Sequence, residues 1–419
     1  MSIHDPQKVV EDLRNHLAVH DRLPTFLFGA GTSSAINIAP EAKPGEQHGY
    51  IPLVPAIAAL TEQCKTTVCG HGVAFEKAWQ LIESHCKEDN QVINIENILS
   101  KVRSKIDAIG SKETLVGLSK DDLLTFEEII RETIATAASP SEENIPEDIP
   151  HHHFASWVKE ATRVAPIEIF TTNYDILLER SLELSATPLF DGFVGAHNPF
   201  FLPDSLDRED LLPPANWVRL WKIHGSINWQ LADSFQPVRI IRTQPKLTGE
   251  MILPSHRKYD ESRKQPYTAL LDRLGRVLNR EHSLLITCGF SFSDEHINSL
   301  IFSVLDNQPT ANVISLQHGE LSQDTPIVKW ALARTNLKVI GPNAGVISGR
   351  WGTWHLLNPV DNSTSAFMDL AFDSNAWEET EGGEVDLNAG VRIGQMRLGD
   401  FNWFCQFLNT MRSRTEEKQ

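Results

Sequence analysis

Apolar residues follow two different rhythms along the chain. Between residues 7 and 20, Val9, Val10, Leu13, Leu17 and Val19 recur at helical spacing and predict an amphipathic helix. After Pro24 comes a short unbroken run, Phe26-Leu27-Phe28, that stops at Gly29, as a buried strand does on entering a glycine turn. Similar runs return at Ile167–Phe170, Arg219–Ile223, Ser283–Cys288, Asn312–Leu316 and Leu337–Ile340. Most of them do not alternate, which is the pattern of parallel strands covered on both faces. Helical patterns between several of these runs predict an α/β class.

The region between the first strand and the second reads differently. Residues 37–52 are rich in Gly and Pro and predict a loop. From about 53 to 160 the spacing is helical: Ile57, Leu60 and Cys64, then Phe75, Trp79, Leu81 and Ile82, then Ile93 to Val102 and Leu123 to Ile134. This predicts a helical insertion over 53–160. Within it, 138–150 is acidic and Pro-rich and reads as a mobile loop. His151-His152-His153 follows. No partner ligands stand at recognisable spacing, so the run reads as an exposed loop, not a metal site. Beyond about 346 lie Trp351, Trp354, Trp377 and Trp403, an acidic patch at 378–385, and a helix-like stretch from Asp400 to Met411. Aromatic residues are enriched in interface cores, so these tryptophans are candidates for oligomer or partner contacts. Each taken singly also reads as part of the protein's own core.

Composition narrows the function classes. At 419 residues, 41% apolar and 22% charged, the chain suits a soluble globular protein of two or three units. No apolar run is long enough to span a bilayer, and no basic start followed by an apolar stretch marks a secretory signal. Five scattered cysteines make no disulfide framework and fit a reducing cytoplasm. With 38 basic and 55 acidic residues the net charge is -17, which argues against direct nucleic-acid binding by this chain alone.

Four motifs carry the candidate chemistry. Gly29-Ala30-Gly31-Thr32-Ser33-Ser34 follows a strand; its glycines permit a tight turn, and backbone N–H groups there could meet a pyrophosphate. It lacks the third glycine of GxGxxG, and an ordinary strand-to-helix turn reads as well. No acidic residue sits at the distance a dehydrogenase would need. Phe170-Thr171-Thr172-Asn173-Tyr174-Asp175 ends a second strand, where open α/β sheets bind ligands. Asn173 offers both a donor and an acceptor to sugar hydroxyls. Asp175 either caps the helix that begins at Ile176 or anchors the loop that presents Asn173. His224-Gly225 closes a third strand; the glycine lets the chain bend so that the imidazole can exchange protons in the crevice. A fourth strand ends in Gly289-Phe290-Ser291, suited to a ribose or phosphate. Asp294, three residues on, reads equally as a helix N-cap.

In this order the motifs resemble the sirtuin superfamily, which carries a GAG-x-S loop, an N-x-D motif, a catalytic HG and a late G-x-S strand end. Here they are Gly29-Ala30-Gly31-Thr32-Ser33, Asn173-Tyr174-Asp175, His224-Gly225 and Gly289-Phe290-Ser291. TTNYDILLE, DGFVGAHNPFF and LWKIHGSINW further resemble bacterial sirtuin-like proteins of antiphage defence. LGDFNWFCQFL is similar to members encoded beside a HerA-type hexameric ATPase. The resemblance is clear over about residues 25–36 and 165–300 and loose elsewhere.

The resemblance implies a Rossmann-type NAD-binding domain over 1–345, interrupted by the insertion 53–160, with 346–419 as an oligomerisation or partner extension. It implies NAD as substrate, cleaved to nicotinamide and ADP-ribose. Asn173, Asp175 and His224 would be catalytic, and Gly29, Ala30, Gly31, Thr32, Ser33, Gly289 and Ser291 would bind NAD. A homo-oligomer working with a HerA-type ATPase would be the assembly. Two departures separate the chain from protein-deacylating sirtuins. It has no Cys-x-x-Cys pair for their structural zinc, so no zinc is expected. Gly49-Tyr50-Ile51-Pro52-Leu53-Val54 lacks the arginine of their Gly-x-Pro-x-x-Arg element. An NAD-dependent deacylase and a non-catalytic sensor of NAD or ADP-ribose are the rival readings. Neither the trigger, the oligomer number nor a preference for NAD over NADP is legible in the sequence.

Overall fold

A computed structural model describes residues 2–18, 24–40, 49–110, 112–161, 163–232, 238–245, 266–357, 360, 362–374 and 392–411. Trp377 and the acidic patch at 378–385 lie outside the described residues.

The apolar runs form strands where their pattern predicts them. In chain order these are β1 (Ile3–His4), β2 (Pro24–Phe28), β3 (Glu168–Thr171) and β4 (Leu189–Phe190), with β5 (Phe193–Val194) and β6 (Phe200–Phe201) close behind. Then come β7 (Val218–Lys222), β8 (Trp229–Ala232), β9 (Arg239–Arg242), β10 (Leu284–Cys288), β11 (Asn312–Leu316), β12 (Leu337–Ile340), β13 (Ala344–Ile347) and β14 (Arg350–Leu356). The main sheet has the order β1-β14-β13-β12-β11-β10-β2-β3-β7-β4, and Arg392–Ile393 pairs with β14. From β12 through β4 all pairings are parallel, whereas β13 joins its two neighbours antiparallel. The architecture is therefore the expected α/β, Rossmann-like one, with a sheet that is predominantly parallel.

Every residue of β2, β7 and β10 is buried, which explains the apolar runs of β2 and β10, while β7 buries Arg219 and Lys222 as well. Along β2, Phe26 and Phe28 face one layer of helices and Leu27 the other. The first layer includes α1 (Pro6–Ala18), α7 (Pro150–Glu160), α8 (Leu177–Leu184) and the helix Phe401–Asn409. The second is built on the helices Tyr267–Leu278, Glu295–Asn307 and Pro326–Leu332. The chain runs from β2 outward through β3 to β7, then returns to the other side of β2 at β10. The strand order thus reverses at β2, and in open α/β sheets a ligand crevice opens beyond the strand ends at such a point.

Between β2 and β3 stand α2 (Ala30–Ser34), α3 (Ile57–Cys69), α4 (Val73–Glu88), α5 (Ile95–Ala108) and α6 (Lys120–Ala137), followed by α7. Ser119 and Asp122 form a capping box at the start of α6, and Asn94 caps α5. Helices α3 to α6 enclose a core of their own around Trp79, Ile98, Phe126 and Ile130. Cys64 and Cys86 are buried in it, and burial pushes the Cys64 thiol up to about 12. Helix α7 does not join that core. Its Phe154 and Trp157 pack edge-on against Phe26 of the main sheet.

The histidine run departs from its sequence reading. It is not an exposed loop but the first turn of α7, started by Pro150 at a position where a missing N–H does no harm. His151 is buried edge-on to Phe401, His152 bonds the Glu147 carbonyl and Arg180, and His153 pairs with Asp148. Among the described residues no cluster of three or more His, Cys, Asp and Glu side chains could hold a metal ion. The tail also enters the fold: Trp354 is fully buried with its Nε1 donating to Gly341 O, and Phe401 packs 5.2 Å from Phe28. No helix of the described residues is long and apolar enough to cross a membrane.

Candidate functional site

Four strand ends converge beyond the switch point. Three glycines explain how closely they do so. A Cβ on Gly29 would lie 2.5 Å from Gly289 O, one on Gly31 2.6 Å from Gly289 Cα, and one on Gly289 2.5 Å from Thr32 N. Gly289 also has φ +65, a conformation that favours glycine. The turns after β2 and β10 thus interlock backbone against backbone, with Gly29 N–H donating to Cys288 O and Gly31 N–H to Gly289 O. These amides are engaged within the protein, so the glycines serve first to bring two turns together.

The hydroxyls of the first turn are engaged as well. Thr32 Oγ1 donates to Gly29 O at 2.9 Å, and Ser33 Oγ donates to Asp175 Oδ2 at 2.7 Å. Both side chains are buried. With their protons spoken for, the two oxygens can only accept, and Asn173 Nδ2 donates to them at 3.1 and 2.8 Å. The amide orientation of Asn173 is therefore set by chemistry: Nδ2 faces the hydroxyls and Oδ1 takes the other side. That Oδ1 is buried and has no hydrogen-bond partner among the described residues.

Asp175 anchors the loop and also bonds the start of α8, whose N-cap position is Ile176. Oδ2 holds Ser33, and Oδ1 accepts Leu177 N–H at 3.1 Å, at the first residue of α8. A residue that the sequence reading passed over fixes this loop from below. Lys222, at the end of β7 and 2% exposed at its side chain, donates to the carbonyls of Tyr174 and Asp175 and to Glu179 Oε1 at 2.9 Å. Only its place in the run Trp221-Lys222-Ile223, a lysine inside an otherwise buried strand, could have flagged it.

His224 follows β7 through Gly225, whose φ of +84 turns the chain back so that Gly225 N–H meets Lys222 O. The next residues tie the histidine turn to the asparagine turn: Ile227 N–H and Ser226 Oγ both donate to Tyr174 O. On the other side His224 Nε2 lies 3.1 Å from Asp294 Oδ2, with both side chains buried. Asp294 is the N-cap of the helix Glu295–Asn307, as the sequence allowed, and it also touches the candidate catalytic histidine, which the sequence does not reveal.

One cavity of about 430 Å³ joins these groups, within the range of small-molecule sites. Gly29, Ala30, Gly31, Ser33, Asn173, Asp175, His224, Gly289 and Ser291 all line it, while Thr32 sits behind Asn173. The insertion forms the opposite wall with Ile57 and Leu60 of α3, Asn94 and Glu96 at the start of α5, and Ile134 and Ala137 of α6. The insertion is thus part of the cavity, a contribution hidden from the sequence because the lining residues come from separate segments of the chain. Asp175, Glu96 and Asp294 are the carboxylates of the lining, and it includes no Lys or Arg among the described residues. Such a wall favours a ligand that is positively charged or becomes so. Ser291 and Ser293 Oγ lie 2.8 Å apart; one proton serves their mutual bond, so the pair retains another to donate.

Comparison with known proteins adds a family. Residues 167–340 match the family model described as SIR2-like domain. The match starts just before β3 and stops at the end of β12, so it includes Asn173, Asp175, His224, Gly289 and Asp294 but not the Gly29 turn or the insertion. No curated protein matches the chain. SIR2-like domains use NAD, so the match over residues 167–340 supports a sirtuin-like family and suggests NAD-dependent activity in general.

Proposed function

We propose that this protein hydrolyses NAD to nicotinamide and ADP-ribose. The observation that carries the reading is the locked amide of Asn173, whose buried Oδ1 has no protein partner among the described residues and shares a cavity with His224. A buried acceptor without a partner is costly, and a ligand that supplies a donor removes that cost. Ribose hydroxyls and water are both such donors.

The surrounding groups fit the rest of the chemistry. When the bond between nicotinamide and ribose C1′ breaks, its electron pair leaves with nicotinamide and positive character builds on the ribose. Asp175, Glu96 and Asp294 favour that charge. Water then adds to C1′ and its proton passes to His224, a step worth on the order of 10²–10⁴ in rate. Asn173 Oδ1 orients the ribose hydroxyl or the water. The Ser291–Ser293 pair, with a proton left to donate, is the polar group offered to the phosphates. The helical wall from α3 and α6 leaves a compact cavity, which suits a small nucleophile such as water.

The resemblance of TTNYDILLE and LGDFNWFCQFL to antiphage proteins supports a role in defence by NAD depletion, as a cytoplasmic homo-oligomer beside a HerA-type hexameric ATPase. Nicotinamide release from NAD by the purified chain, with and without that ATPase and beside His224→Ala, tests the proposal. Release that is lost in the variant supports it. Release at the wild-type rate by His224→Ala overturns the site, and release that requires an acyl-lysine peptide makes the protein a deacylase instead.

A further inference from the structure

The helix N-cap at Asp294 does more than start a helix. Its Oδ1 accepts the amides of His296 at 3.0 Å and Ile297 at 3.2 Å, and its Oδ2 meets His224 Nε2 at 3.1 Å. Turning the carboxylate away from His224 would break the cap of a 13-residue helix, so the capping bonds fix where the second oxygen points. The approach to Asp294 is itself held under strain. Phe292 has φ +57, uncommon for a bulky residue, and is kept there by Asn298 Nδ2 donating to its carbonyl at 2.7 Å and by packing against Phe290 and Phe302.

We infer that Asp294 is a positioning residue for His224, forming a histidine–aspartate pair anchored on a helix N-terminus. An ionised carboxylate only accepts, so the Nε2 nitrogen carries the proton and donates. Nδ1 is then the basic nitrogen, and it takes the proton that water or a ribose hydroxyl gives up. The imidazolium formed shares its charge with Asp294, whose ionised form is favoured by the two amides and by the helix dipole. Asp175 and Glu96 face the same cavity from the β3 turn and from α5, Tyr174 adjoins from the β3 turn, and Lys222 is turned away onto Glu179 and two carbonyls. Among the described residues, Asp294 brings a carboxylate within hydrogen-bond distance of the ring. This inference rests on His224 acting as a base, as proposed above.

Asp294→Asn separates the two roles of the residue, because asparagine caps a helix as well as aspartate but carries no charge. The thermal midpoint should stay near the wild-type value. The NMR titration of the His224 ring should move to lower pH, since an opposite charge beside a histidine favours its protonated form. The acid limb of the activity profile should move down with it, and turnover should fall by about tenfold or more, a share of what a general base supplies. Asp294→Ala should lose the cap too and melt lower. A His224 titration unchanged in Asp294→Asn overturns the pair. The NMR readout needs no turnover, so it judges the pair even where release by His224→Ala has sunk the hydrolase reading.

Discussion

Ser33 Oγ stands 2.7 Å from Asp175 Oδ2 across 142 residues of sequence, and this contact decides which way Asn173 faces. The carboxylate takes the serine proton, the serine oxygen is left to accept, and the asparagine must present its NH₂ there. Asp175 therefore acts on the cavity through Ser33.

Ser33→Ala removes that link while leaving Asn173, Asp175 and His224 themselves in place. Asn173 Nδ2 keeps only Thr32, and Asp175 Oδ2 loses its donor. Two buried hydrogen bonds are lost, and each with a partner left behind is worth about 1–3 kcal/mol; the one to Asn173 bears directly on the cavity. Expressed as rate, kcat/KM for NAD should fall on the order of ten- to a hundredfold. Steady-state kinetics beside a thermal melt would check this; wild-type kinetics would show that the Asn173 orientation does not depend on Ser33.

Gly289→Ala should damage both fold and site. Its φ of +65 alone would cost about 1–3 kcal/mol for a residue with a Cβ. The added carbon would also strike Thr32 N at 2.5 Å and Gly31 C at 2.8 Å, both main-chain atoms that cannot swing aside. Gly319→Ala is the control, since a Cβ there meets nothing within 4 Å. Calorimetry should show a clear fall in melting temperature for the first variant and little change for the second.

His151 makes stability depend on pH. Burial, and to a lesser degree His152, lower its folded pKa to about 3, and Nδ1 has no partner among the described residues, so the ring is buried neutral. In the unfolded chain it titrates near 6.5, so between those values the unfolded state holds the extra proton. Its contribution to stability is complete above about pH 6.5 and is lost as pH falls toward 3, at about 1.4 kcal/mol per pH unit. Urea unfolding at pH 7 and pH 5 should show this loss in the wild type and a smaller one in His151→Phe.

Much of the fold was legible because burial on two faces leaves an unbroken apolar run. Phe26-Leu27-Phe28 and Leu284-Leu285-Ile286 announce parallel strands without any knowledge of their partners. The four strand-end motifs were legible for a related reason, since a ligand crevice in such a sheet needs small and polar residues just past its strands. What stayed hidden depends on partners far along the chain. Nothing near Gly289 shows that it packs on Gly31, nothing near Asp294 shows that its second oxygen meets His224, and nothing near Lys222 shows that it clamps the Asn173 loop. The short strands β5, β6, β8 and β9, which build a separate antiparallel sheet, were also unread, being only two to four residues long. The histidine run misled because polar composition suggested exposure, whereas Pro150 begins a helix and packing on Phe401 decides the environment.

The core of the insertion is not closed by insertion residues alone. Ile227, three residues past His224, is buried within it, and Tyr174 and Ile176, on either side of Asp175, pack against it. Order in α3 to α6 and order in the Asn173 and His224 turns therefore share one set of contacts. A ligand gripped by Asn173 and His224 would slow amide exchange in helices that precede both residues by many turns of chain. By thermodynamic reciprocity, any loosening of those helices that binding must reverse would weaken the ligand's grip by the same factor.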